Sequence, residues 1–233
     1  MKKVYFIALT ASVTILSACS KSKSDMNGEY VADFGVNGSV RMFAASGEVK
    51  DQAIIQKYIS GRQLTSRYSQ QQQVEVDESE FSLTISGDKF TIKRPGLNDG
   101  EQSCRITGVN RYVVTWKGTL RVIISSEVTA SSKCADLTKN LLQYPVQQLD
   151  YKDIPGTSGF RASYIPGIEH VIYIKPGAIS LPVLIYSASH DEATQSCMFS
   201  EGSYNLLNEA GLTGLQTGDT IVFQQRTLHL KKK

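Results

Sequence analysis

Phe81-Ser82-Leu83-Thr84-Ile85-Ser86-Gly87-Asp88-Lys89-Phe90-Thr91-Ile92-Lys93-Arg94 decides the fold class. Phe81, Leu83 and Ile85 alternate with small hydroxylated residues, and Phe90 and Ile92 alternate with Thr91 and Lys93. A two-residue Gly87-Asp88 turn then opposes Ile85 to Phe90 and Leu83 to Ile92. That register gathers every large apolar group on one face, and a slip of one residue would scatter them. The segment predicts an antiparallel hairpin with one face buried.

Working outward, Arg111 to Trp116 and Thr119 to Ser125 predict a second pair of strands joined at Lys117-Gly118, apolar on both faces as near a sheet centre. Gly28 to Phe34 and Ser39 to Ala44 predict another pair around Gly35-Val36-Asn37-Gly38. Ile168 to Lys175, Leu181 to Ser187 and Thr220 to Leu230 continue the pattern, punctuated by Pro-Gly steps at 155, 166 and 176. Pro182 marks an edge or a strand start. Two short helices are expected. One covers about 51–60, capped by Asp51, stopped by Gly61 and apolar at Ala53, Ile54, Tyr58 and Ile55; the other covers 132–143. The chain is therefore mainly β, with antiparallel sheets forming a barrel or sandwich. Residues 28–233 form this β-rich domain, with room for two modules and a break near 131–150. Gln102-Ser103-Cys104 and Gln195-Ser196-Cys197 are a faint internal echo of such a division.

The first 18 residues read differently. Met1-Lys2-Lys3 is a short basic start, and Val4 to Leu16 is an apolar-dominated stretch. It is shorter than the roughly 18–20 residues a membrane-spanning helix needs. Leu16-Ser17-Ala18-Cys19 resembles the lipobox of bacterial lipoproteins. The resemblance implies removal of residues 1–18, acylation of Cys19, and a short tether over 19–27. It also implies a cell-envelope address at a membrane surface; Ser20 in place of aspartate favours the outer membrane, facing the periplasm.

Such a compartment permits disulfides among Cys104, Cys134 and Cys197. Sequence leaves three pairings open. The shortest loop favours Cys104–Cys134, with Cys197 left over.

Chemistry is sparse. Without Lys2 and Lys3 the 25 basic residues nearly balance 22 acidic ones, so no basic field gathers nucleic acid, and no nucleic-acid-binding motif occurs. Lys231-Lys232-Lys233 reads as a frayed charged tail. No zinc-binding histidine spacing or Gly-x-Ser-x-Gly is present, and no cofactor is implied. Ser86-Gly87-Asp88-Lys89 matches Ser-x-x-Lys in letters only, because the same residues make the hairpin turn. His170 alternates in register with isoleucines and should face a core. His190, Asp191 and Glu192 are the candidates for a polar site, and an envelope hydrolase, a distant third reading, would need His190, Cys197 or a carboxylate pair to converge in one cleft. Asn27-Gly28-Glu29-Tyr30 resembles the Gly-x-Trp opening of lipocalin-like barrels, with tyrosine for tryptophan. That likeness implies an apolar cavity. The leading expectation is a lipid-anchored, non-catalytic domain that binds or scaffolds an envelope protein partner; the alternative is a carrier of a small apolar ligand.

Overall fold

The hairpin forms in the predicted register: β4 (Ser82–Ser86) pairs with β5 (Lys89–Lys93), placing Ile85 opposite Phe90 and Leu83 opposite Ile92. Gly87 takes the turn at φ 60°, where a side chain would be strained, and its N–H donates to Asn27 Oδ1 at 2.9 Å. A computed structural model describes residues 26–95, 101–117, 120–125, 134, 137–138, 140–144, 150–153, 160–165, 168–191 and 196–233.

Eight antiparallel strands form a nearly closed barrel. Around the hairpin stand β1 (Gly28–Ala44), β6 (Glu101–Gly108), β7 (Arg111–Lys117), β11 (Ile168–Lys175), β12 (Ala178–Asp191) and β14 (Asp219–Lys232), in the order β5-β4-β1-β14-β12-β11-β7-β6. Between the end strands β5 and β6, no backbone ladder forms among the described residues. The Gln102 side chain crosses that seam: its Oε1 accepts from the Ile92 N–H at 2.6 Å, and its Nε2 donates to the Ile92 carbonyl at 2.9 Å.

The inward residues fall in layers. Ile85, Phe90, Tyr112, Ile179 and Leu230 make the upper one; Leu83, Ile92, Val114, Ile172, Leu181 and Leu228 fill the next; Phe81 and Tyr204 close the lower end. His170 is buried there, stacked on Tyr204 with centroids 5.4 Å apart, so it faces the core as its register predicts.

β1, β12 and β14 run on past the barrel as a three-stranded extension covered on both faces. One face carries Val40, Met42, Ile185 and Val222 beneath α1 (Gln52–Gly61), which contributes Ile55 and Ile59. The Tyr68 hydroxyl is sunk into this face, 2.8 Å from Ser187 Oγ and 3.0 Å from the Val222 carbonyl, and burial raises its pKa. The other face packs Leu184, Tyr186, Ala188, Ile221 and Phe223 against Cys134, Leu141 and Leu142. β13 (Ser196–Ser203) continues the sheet along β12. The short strands β2 (Gly47–Val49) and β3 (Gln73–Glu75) pair with β1. A separate three-stranded sheet joins β8 (Leu120–Ser125), β10 (Phe160–Ile165) and β9 (Asp150–Asp153).

Several expectations need correction. Gly35-Val36-Asn37-Gly38 is not a turn: β1 is one strand of 17 residues, irregular at Ala32/Phe34 and Asn37/Val40. Gly35 serves close approach, since a Cβ there would lie 2.8 Å from Arg226 Cδ, and Asn37 Oδ1 accepts from Arg226 Nε at 2.7 Å. Arg111–Trp116 and Thr119–Ser125 do not pair; β7 lies between β6 and β11, and β8 pairs with β10. The helix over 51–60 forms with Asp51 accepting from the Ala53 N–H at 2.8 Å. Its buried side is Ile55 and Ile59, however, and Ile54 is exposed, because the extension sets the helix's rotation. Of 132–143, Cys134, Leu137 and Thr138 are helical, while 140–143 have left the helix and Leu142 bridges Leu207. Most of the proposed break near 131–150 lies outside the described residues. Lys231 and Lys232 are strand residues opposite Val31 and Tyr30, not a frayed tail. Pro182 sits where β12 is bare on one side, after β11 stops pairing at Ser180 and before β13 starts at Leu184, so its missing N–H costs no ladder bond.

Candidate functional site: the barrel mouth

The β4–β5, β6–β7 and β11–β12 turns, the start of β1 and the end of β14 all reach the same end of the barrel. There, among the described residues, no helix or strand lies across the upper layer. A cavity of about 660 Å³ opens above it, lined by Tyr30, Ile85, Phe90, Tyr112, Ile179 and Leu230, with Met26, Ile174 and Lys232 at its edge. That volume lies within the roughly 300–1,000 Å³ usual for small-molecule sites. The lining is chiefly aliphatic and aromatic; Phe90 and Tyr112 stack with centroids 5.7 Å apart.

Asn110, Lys175, Lys231 and Lys232 bring polar groups into the lining as well. The Tyr30 hydroxyl donates to the Met26 carbonyl at 2.9 Å, and burial raises its pKa, so it remains a neutral donor. Lys232 Nζ lies 6.0 Å from the Tyr30 ring centroid. Its stem passes over Gly28, where a Cβ would come within 2.6 Å of Lys232 Cε. The Gly28-x-Tyr30 pattern thus does structural work: glycine admits the lysine stem, and tyrosine turns inward beneath the ammonium. Lys175 completes the cationic rim from the β11–β12 turn. Among the described residues, neither Lys175 nor Lys232 has a carboxylate in ion-pair range, whereas Lys231 pairs with Glu78 at 2.7 Å and Lys233 with Glu29 at 3.3 Å.

The residues singled out from sequence lie elsewhere. Cys19 falls outside the described residues. The disulfide is Cys134–Cys197, with Cα atoms 6.0 Å apart, which corrects the expected Cys104–Cys134 pairing. Cys104 is inward on β6 and packs against the barrel core, while Cys134 covers the far extension, so those two sulfurs belong to different cores. Cys197 cannot serve His190 as a nucleophile, because it is committed to the disulfide. Instead His190 Nδ1 lies 2.7 Å from Asp219 Oδ1, each side chain only 1% exposed, and the Gln216 N–H donates to Asp219 Oδ2 at 2.7 Å. Gly218 makes this closure possible at φ +89°, since a Cβ would stand 2.7 Å from the Asp191 carbonyl. The pair fastens the end of β12 to the turn before β14. Asp191 points the other way, into an ion pair with Arg62. Glu192 lies outside the described residues.

Among the described residues no cluster of three metal-ligating side chains occurs, and no helix is long and apolar enough to cross a membrane. No protein family, curated protein or solved structure matches this chain.

Proposed function

We propose that this chain is a lipid-anchored cell-envelope protein whose barrel mouth holds the apolar tail of an anionic amphiphile. The observation that carries the reading is the mouth cavity, apolar within and rimmed by Lys175 and Lys232. Each buried methylene of a ligand contributes about 0.8 kcal/mol, and a rim ammonium favours a carboxylate or phosphate head. The filled layer of Leu83, Ile92, Leu181 and Leu228 beneath stops the tail, so a chain of modest length fits best. Between the two binding readings the sequence leaves open, scaffolding an envelope protein and carrying a small apolar ligand, the cavity supports the second. The anchor rests on Leu16-Ser17-Ala18-Cys19 and on a disulfide suited to an oxidising envelope, with the periplasmic side of the outer membrane as the proposed address.

The test has two arms. Cys19→Ala should abolish palmitate labelling; unchanged labelling removes the anchor. A soluble form exported by a non-lipidating signal and beginning at Ser20 should bind dansyl-undecanoate with a micromolar Kd. Lys232→Glu should weaken the carboxylate about tenfold, equal to about 1.4 kcal/mol, and leave the matching fatty alcohol unaffected. No saturable fluorescence change, or equal loss for acid and alcohol, removes the pocket.

A further inference from the structure

We propose that the barrel mouth is also a docking surface for an anionic bilayer, so that the cavity opens onto the membrane carrying the anchor; this rests on the lipid-anchor reading above. Three observations converge on that face.

The first is tether geometry. Met26 borders the cavity, and Cys19 lies seven residues before it. Seven residues span at most about 25 Å. β1 begins at the mouth and runs for 17 residues, roughly 55 Å at about 3.3 Å per residue, to the end of the far extension. The leash is shorter than the body, so acyl chains on Cys19 hold the mouth, rather than the end carrying α1 and β13, against the membrane.

The second is apolar exposure. Val109, at the tip of the β6–β7 turn, is 91% exposed, and Ile106 on the same hairpin is 51% exposed. Both neighbour cavity residues, Asn110 and Tyr112. A lone exposed valine carries no meaning, but two apolar side chains beside an open apolar cavity make a face suited to the headgroup–acyl boundary.

The third is charge. Lys175 and Lys232 stand at this rim without carboxylate partners among the described residues. Basic groups at a membrane surface are drawn to anionic headgroups.

The experiment uses the acylated full-length chain in vesicles of phosphatidylethanolamine and phosphatidylglycerol with brominated acyl chains, which quench tryptophan at membrane depth. Val109→Trp should lose most of its added emission, whereas Met198→Trp, on β13 at the other end, should keep it. Val109 touches no core, so the substitution leaves the fold intact. Equal emission from the two variants overturns the docking, as does quenching of Met198→Trp alone. Quenching as strong on phosphatidylcholine as on the anionic mixture overturns the claim for an anionic surface. The two readings separate cleanly: dansyl-undecanoate binding without Val109→Trp quenching removes the docking only, and quenching without binding removes the pocket only.

Discussion

Gln102→Ala tests how the barrel is closed. The wild-type side chain satisfies both backbone groups that Ile92 presents across the β5–β6 seam, at 2.6 and 2.9 Å. A net hydrogen bond contributes about 1 kcal/mol, and leaving a partly buried group unsatisfied adds to the loss, so removing both should cost about 2–3 kcal/mol. For a domain of this size each kcal/mol moves Tm by about 2–4 °C, which gives a fall of about 5–10 °C. Urea denaturation measures the free energy, and amide hydrogen exchange locates it: Ile92 should lose protection, while Ile221 in the covered extension should not. Gln102→Glu sharpens the test, because it keeps an acceptor for the Ile92 N–H but sets an oxygen against the Ile92 carbonyl, and it should be no better than alanine. The seam also borders the cavity, since Phe90 lies two residues from Ile92 on the same strand. Loosening it should therefore weaken dansyl-undecanoate binding as well. A Gln102→Ala protein within about 0.5 kcal/mol of wild type, the usual scatter for surface substitutions, and with Ile92 still protected, would refute a seam held by this side chain.

Cys134→Ala/Cys197→Ala opens a loop with a sequence separation of 63 residues. Loop-closure entropy puts the loss at about 4 kcal/mol, and exchange should rise first at Leu141 and Leu142, which that bridge holds against the extension; full protection there would contradict the placement. Glu48 tests pH dependence. Hydrogen bonds from Arg41 and then Lys50 lower its pKa from 4.5 to about 2. Its contribution to stability is thus present above pH 4.5 and disappears as pH falls through about 2. Relative to wild type, Glu48→Gln should be less stable near neutral pH and should show a flatter acid limb in thermal scans; parallel curves would mean that the pair does nothing.

The hairpin at Phe81–Arg94 was readable because its whole determinant is local: period-two alternation and a turn that fixes register. Partner choice was not. β7 has apolar residues on both faces, which announces a strand with neighbours on both sides, yet nothing in Lys117-Gly118 reveals that β11 displaces the next segment. Gly35-Val36-Asn37-Gly38 has turn chemistry but is held extended by Arg226, almost two hundred residues later. The disulfide was hidden for an energetic reason. Loop lengths that differ by a doubling change closure entropy by only about 0.6 kcal/mol. The preference for the shorter Cys104–Cys134 loop was therefore slight beside the burial that sends Cys104 to the barrel and Cys134 to the extension.

The candidate site shows the same division. Alternation alone places Ile85 and Phe90 side by side, and Gly28-x-Tyr30 hints at a barrel opening, but neither says which end stays open. That depends on where the covering segments go. α1 and the residues Cys134, Leu141 and Leu142 settle on the far extension, and Tyr204 with Phe81 plugs the barrel beneath it. No comparable segment among the described residues lies over the mouth, where only tight turns meet. Among the described residues the covering elements thus lie at one end, and the apolar cavity opens at the other. Under the proposed lipid anchor, the short reach from Cys19 puts the bilayer within range of that end.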